Sequence, residues 1–445
     1  MTAATHETGL ALSRRQLFGS AFAASAMMVL PAAVRAQVAT ASSIHPNWPA
    51  VSDLMAKYLD AGKLANIVTA LGYGQEAPQF LAGGTTSFSS STAVGPDTLY
   101  RIYSMTKPIT GMATVMCIDD GLLSLDQPIA DFIPGFAKMQ VQKEYDGAIT
   151  ADNLEPAVRQ ITVRHCLTHT AGLGYSIVQQ GPISDAYTAA GLLPAQASRI
   201  SVPGIMSGKP ASSLAAFAEG LAEMPLVYQP GTKWSYSVGL DLLGRVIEIV
   251  SGKSFDAFLA ERIFEPCGMA STWFRVPESQ KQRLTANYVL ANDTLVPIDL
   301  PDNSIYLDEP AFPFGGAGLV STARDYDRFL QMLGNYGVID GTRVMSEPAV
   351  RLATSDLFAD TMADGGGFQF GAMRFGYGAG GLVGTGIAAG LFGWFGAAST
   401  CGLVNMKNGL RHNLMTQAMG MPQDGLQQEF PFAVAADAAR QSASA

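Results

Sequence analysis

Charged residues are scarce in this chain of 445 residues: Asp, Glu, Lys and Arg supply 15% of it and leave a formal net charge of −9. No cluster of Lys and Arg with interleaved aromatics occurs, so a nucleic-acid partner, which needs a basic footprint for the phosphate backbone, has no support. Cysteine is sparse as well. The four, Cys117, Cys166, Cys267 and Cys401, lie far apart with no C-x-x-C spacing, which excludes the common zinc-site and thioredoxin-like patterns. Buried free thiols are the expectation, and spacing alone names no disulfide pair. G-x-S-x-G is missing too, which removes the nucleophile elbow of the α/β-hydrolases. The chain has no internal repeat and no low-complexity tract.

What is present is glycine, 47 residues, and proline, 24, beside a hydrophobic content of 48%; that mixture describes a loop-rich globular enzyme able to bury a large core. Residues 13–36, SRRQLFGSAFAASAMMVLPAAVRA, place paired arginines before an apolar stretch from Ala21 to Leu30 and close on small residues at Ala36. This is the pattern of an export signal of the twin-arginine type, and its apolar stretch is shorter than the ~20 residues of a membrane span. Residues 1–36 are therefore expected to be removed. The mature protein is expected to be periplasmic or secreted, with no stable membrane span.

Apolar residues at helical spacing from Trp48 to Leu64 predict a helix, and Ala65 to Gly72 a β-strand. Met105 to Ile118 can be helical, with Pro108 near its start, where a missing N–H costs nothing. From about Leu122 to Pro310 helical pieces are broken by Gly/Pro loops. Beyond Phe314 glycines multiply, and LFGWFGAAST, CGLVNM and LRHNLMTQAMG read as three short strands, while Gln427 to Arg440 is helical in pattern. Sheet pieces at both ends of a helical middle give one α+β unit. Its sheet part is expected at about 44–121 and 311–440, its mostly helical part at about 122–310.

Ser104-Met105-Thr106-Lys107 is the one S-x-x-K among the chain's ten lysines. Three-residue spacing on a helix puts both side chains on one face, so the lysine can reach the hydroxyl. A lysine with its ordinary pKa of ~10.4 is a poor base at neutral pH. The pattern serves nucleophilic catalysis only where burial or nearby positive charge favours the neutral amine.

The residues around it, YSMTKPIT, LTHTAGL (Leu167 to Leu173), PGTKWSYSVGLDLLGRVIEIVSG (Pro230 to Gly252), GGAGLVSTARDY (Gly315 to Tyr326) and FGWFGAAST, resemble in order the blocks of the serine β-lactamase and penicillin-binding-protein superfamily, especially its class C-like branch and the family VIII carboxylesterases. The resemblance runs from about Ile44 to Arg440. It implies a β-lactamase/transpeptidase-like fold, an α/β/α sandwich with an antiparallel sheet and a mostly α-helical insert. It also implies roles. Ser104 would be the nucleophile and Lys107 its activator. Tyr236, from Tyr236-Ser237-Val238 at the place of Y-x-N, would share a proton with the lysine and pass it to the leaving group. The backbone N–H groups of Ser104 and Ala397 would form the oxyanion hole.

Two departures from the family's pattern bear on substrate. Val238 stands where β-lactamases carry an Asn that holds an acyl-amide side chain, and Trp394-Phe395-Gly396 stands where they carry K-T-G. The chain's K-x-G, Lys407-Asn408-Gly409, reads instead as a turn, because Asn-Gly separates two apolar runs. A missing cation deprives a β-lactam carboxylate of its partner and costs a neutral ester nothing. Val238, Trp394, Phe395 and Gly396 are thus the expected substrate pocket.

His165 and His169 lie four apart with no evident third ligand, so no metal is expected. His412 reads as a packing or surface residue, and Asp119-Asp120 as a solvated helix end. No cofactor is implied. The expected protein is an exported carboxylesterase-like serine hydrolase acting on small neutral esters through an acyl-enzyme on Ser104. A β-lactamase or D-alanyl peptide hydrolase on the same scaffold stays open as an alternative, as does a catalytically inactive penicillin-binding-like protein.

Overall fold

Alternation along one strand decides the layering. In Asn66–Tyr73, Ile67 and Leu71 enter one apolar cluster while Val68 and Ala70 enter another, because successive side chains of a strand leave opposite faces. The computed structural model describes residues 45–200, 208–358, 368–370, 373–422 and 425–444, and the leader expected at 1–36 lies outside them. The first cluster is roofed by two helices, Pro49–Leu59 and Leu426–Ser444, which supply Val51, Leu54, Met55, Leu426, Phe430 and Val434. The second is the main core. It takes Ile109, Met112 and Met116 from the helix Thr106–Asp119, and Tyr326, Phe329 and Leu330 from the helix Ala323–Gly334.

Between these layers lies an eight-stranded sheet in the order Phe368–Phe370, Met373–Tyr377, Leu382–Thr385, Leu391–Phe395, Cys401–Asn405, Leu410–Met415, Asn66–Tyr73, Gln79–Gly84. Every neighbouring pair is antiparallel. Helices on both faces of an antiparallel sheet are the α/β/α sandwich that the resemblance implied. The turn between Cys401–Asn405 and Leu410–Met415 contains Lys407, exposed, and Gly409, whose φ of +73° only glycine adopts at low cost and whose N–H returns to the Asn405 carbonyl at 2.8 Å. Lys407-Asn408-Gly409 is a hairpin turn, as its composition predicts.

The helix expected over Trp48 to Leu64 stops at Leu59, where Asp60 caps it and Gly62 turns the chain at φ +64°. Between 122 and 310 the helices are short, Val163–Leu167, Pro182–Ala189, Leu214–Ala222 and Gly239–Ser251 among them. This stretch also holds a hairpin that hydrophobic pattern did not suggest. Asn287–Ala291 pairs with Thr294–Asp299 across Asn292 and Asp293, at φ 49° and 60°. Asn and Asp are the non-glycine residues that best tolerate such left-handed turns. Ala418–Met419 adds a third, parallel strand to that hairpin, tying the middle of the chain to the end of the large sheet. All four cysteines are buried and free.

His412 lies in the strand Leu410–Met415, paired with Leu71 and Leu403, and its ring meets the Phe430 ring at 5.6 Å. Neither ring nitrogen has a hydrogen-bond partner among the described residues. Burial pulls its pKa down to about 4, so the folded state refuses a proton that the unfolded chain accepts near 6.5. Its stability contribution is complete above pH 6.5 and is lost as pH falls towards 4, a loss of roughly 3 kcal/mol at most. His165, also lowered to about 4 by burial, acts in the same direction. His412→Leu is expected to lessen the fall in urea midpoint between pH 7 and pH 4.5. An undiminished fall in the variant would mean that His412 is not protonated on unfolding.

Candidate active site

Ser104 is the middle residue of a 3₁₀ turn, Tyr103–Met105, that runs directly into the helix Thr106–Asp119. Entering the turn puts Tyr103 at φ 43°, a conformation that costs a non-glycine residue about 1–3 kcal/mol. Full burial of the ring and a hydrogen bond from Asn287 Nδ2 to its hydroxyl (2.7 Å) hold it there. Two residues earlier Arg101 is fully buried, donating Nε to Asp299 at 2.8 Å and Nη1 to the Thr285 carbonyl at 2.7 Å. The strand before Ser104 is thereby braced against the hairpin Asn287–Asp299.

Lys107, on the first turn of the helix, has no exposed surface. Its Nζ lies 3.2 Å from Ser104 Oγ and donates to the Gly316 carbonyl at 2.8 Å. Tyr236 OH lies 2.8 Å from the same Ser104 Oγ, and Lys107 Nζ sits 4.6 Å from the centre of the Tyr236 ring. One hydroxyl is therefore in hydrogen-bond reach of both an amine and a phenol, which is the arrangement that general acid–base work on a serine requires.

Gly316 is gripped from two sides. Its carbonyl takes the lysine, and its N–H donates to Asp241 Oδ1 at 2.8 Å; a Cβ at 316 would stand 2.5 Å from Asp241 Oδ2. Asp241 lies in the helix Gly239–Ser251. Its burial pushes the carboxyl up to about 6, against the opposing pull of the Lys107 charge. Sequence reasoning missed Asp241 and Gly316, although both fall inside blocks it quoted. The one available signal was an acidic residue amid the apolar run of YSVGLDLLG.

Trp394 brings its Nε1 to 3.4 Å from Tyr236 OH, and its ring stands 5.8 Å from Tyr236 and 5.4 Å from Tyr377. Gly396, at the end of the strand Leu391–Phe395, has room only for hydrogen: a Cβ would lie 2.1 Å from Thr400 Oγ1 and 2.5 Å from the Ile102 carbonyl. This close approach sets the following turn beside the segment that leads into Ser104. The Ala397 N–H in that turn has no hydrogen-bond partner among the described residues.

Of the other two expected pocket residues, Val238 has no exposed surface and packs in the main core, while Phe395 is half-buried, its ring 6.4 Å from that of Trp394, and packs both against the cluster under the terminal helices and against the cluster that contains Tyr377. Tyr175 and Tyr377, which sequence reasoning did not single out, flank the Tyr236 and Trp394 rings, and burial holds both phenols well above their ordinary pKa. They stay protonated. His165 spends its Nδ1 on the Thr162 N–H at 3.2 Å, capping the helix Val163–Leu167. Among the described residues no group of three or more His, Cys, Asp or Glu could hold a metal ion.

Comparison with known proteins gives a consistent picture. The family model described as Beta-lactamase matches residues 51–432. Protein Rv1367c of Mycobacterium tuberculosis (strain ATCC 25618 / H37Rv) is 35% identical over 301 residues, 68% of this chain and 70% of that protein. Esterase EstB of Burkholderia gladioli is 29% identical over 294 residues, 62% of this chain and 66% of the relative. Among solved structures, "EstCE1, a hydrolase with promiscuous acyltransferase activity" superposes with a TM-score of 0.68 at 21% identity, covering 87% of this chain and 97% of that one. Unliganded Simvastatin Synthase (LovD) from Aspergillus terreus gives a TM-score of 0.67 at 20% identity, covering 89% of this chain and all of the other. At such identities the structural likeness speaks for the fold.

Proposed function

This chain belongs to the beta-lactamase family, and from that premise we propose that it is an exported carboxylesterase that hydrolyses small neutral esters through an acyl-enzyme on Ser104. The observation that carries the reading is the convergence of Lys107 Nζ and Tyr236 OH on Ser104 Oγ, with an indole rather than a cation beside the phenol. Relatives named as esterases, EstB and the lovastatin esterase of Penicillium rubens (strain ATCC 28089 / DSM 1075 / NRRL 1951 / Wisconsin 54-1255), support it. The export signal read at residues 13–36 supports a periplasmic or secreted location.

In this reading Ser104 Oγ attacks the ester carbonyl while its proton passes to Lys107 Nζ. The developing oxyanion is met by the N–H groups of Ser104 and Ala397. Tyr236 O–H gives a proton to the departing alkoxide and recovers one from Lys107, and water then enters by the reverse route to release the acid. No step calls for a cofactor.

The substrate preference is tested by the ratio of kcat/KM for p-nitrophenyl butyrate to that for nitrocefin. Trp394 offers no charge to a β-lactam carboxylate, and a missing charge-assisted hydrogen bond is worth ~1.5–3 kcal/mol, or one to two decades of rate. The ester is therefore expected to be favoured by at least that factor. A wild-type preference for nitrocefin would replace the esterase by a β-lactamase on the same scaffold. Turnover of neither substrate, with no serine labelled by a fluorophosphonate, would favour an inactive binding protein.

A further inference from the structure

His169 belongs to the LTHTAGL block, and no step of the proposed chemistry uses it. It has no exposed surface, and its backbone sits at φ 56° in the left-handed region. Three contacts converge from it on the segment that carries Tyr236. Its carbonyl accepts the Ser235 N–H at 2.9 Å. Its Nδ1 accepts the Ser237 N–H at 3.2 Å and lies 3.0 Å from Ser237 Oγ. Its ring packs against the Tyr236 ring, centres 4.8 Å apart. Both chain neighbours of Tyr236 are thus tied to one residue, and the phenol lies against that residue's side chain.

We propose that His169 is a positioning residue that holds Tyr236 in reach of Ser104, through an Nδ1 acceptor aimed at the Ser237 N–H from a left-handed backbone. The requirement is specific: an acceptor two bonds beyond Cβ at most, on a residue that tolerates positive φ. Accepting at Nδ1 makes the imidazole the neutral tautomer with its hydrogen on Nε2, an atom without a hydrogen-bond partner among the described residues. Burial pushes the pKa of His169 well down, so the ring keeps that acceptor throughout the working range. Hydrogen bonds to the ring and to the main chain together fix Tyr236 on both sides. A loop tyrosine without them would be free to swing out of line, and a misplacement of about 1 Å in a reacting group costs up to about 10²-fold.

This inference rests on the proposed role of Tyr236, and its test separates the two. Asn adopts positive φ readily and carries Oδ1 near the place of Nδ1; glycine keeps the backbone and removes the acceptor. His169→Asn is expected to keep kcat for p-nitrophenyl butyrate within about threefold of wild type, whereas His169→Gly loses on the order of 10²-fold in kcat with KM little changed. His169→Gln, which moves the carbonyl one bond outward, gives the same contrast should the glycine variant not fold. Thermal unfolding of each variant reports whether the fold persists, and the rate of fluorophosphonate labelling at Ser104 follows the site without any assumed substrate. Equal impairment of His169→Asn and His169→Gly at matched unfolding temperatures would overturn the acceptor role. So would a kcat that tracks only the folded fraction. If instead Tyr236→Phe itself retains full activity and labelling, the role of Tyr236 fails first and the His169 contrast should vanish with it.

Discussion

Ser104→Ala is expected to abolish ester hydrolysis, with kcat reduced about 10⁴- to 10⁶-fold, the range seen when a serine nucleophile is removed from a residue set that acts as a unit. The fold should survive, because the substitution deletes one hydroxyl whose partners are Lys107 Nζ and Tyr236 OH. The strained approach through Tyr103 at φ 43° and the Arg101 brace are untouched. Mass spectrometry of wild-type protein treated with a fluorophosphonate is expected to place the adduct on the peptide containing Ser104, and the alanine variant to carry none. An adduct on another serine, or an alanine variant that still turns over p-nitrophenyl butyrate, would move the nucleophile elsewhere. Such an outcome would leave the short contacts of Lys107 and Tyr236 as core packing.

What made this site legible was locality. Ser104 and Lys107 are three residues apart, and a helix start brings them together whatever the rest of the chain does. Tyr236 and Trp394 were reached through the blocks that surround them. The residues that sequence reasoning passed over owe their placement to contacts between distant segments. Gly316 is 209 positions from the lysine it receives, Asp241 75 from the N–H it accepts, and His169 68 from the Ser237 that it holds. No spacing rule links them. The strands Met373–Tyr377 and Leu382–Thr385 escaped for another reason. Their neighbourhood, MRFGYGAGGLVGT, is too rich in glycine to show alternation, and the structure shows why glycine is needed there. A Cβ on Gly111 of the helix Thr106–Asp119 would lie 2.0 Å from the Ala379 carbonyl, and one on Gly380 2.3 Å from that of Lys107. The sheet end lies against the backbone of the helix that carries the lysine, and side chains at these points would push the two apart.

That close packing bears on the second large effect. Lys107→Arg keeps a positive charge and a long side chain but is expected to lower kcat for p-nitrophenyl butyrate by about 10²- to 10⁴-fold, the usual worth of a positioned general base. Lysine can give up its proton, and a guanidinium in a protein does not. In the structure the amine has the Gly316 carbonyl and Ser104 Oγ as hydrogen-bond partners, so an arginine would also bring more N–H donors into a fully buried site than it can satisfy there. Some loss of thermal stability should accompany the loss of rate. The two are separated by measuring kcat below the variant's unfolding temperature. Substantial activity in a folded Lys107→Arg protein would show that the positive charge, and not its removable proton, is what Ser104 uses, and the proton would then have to leave through Tyr236 alone.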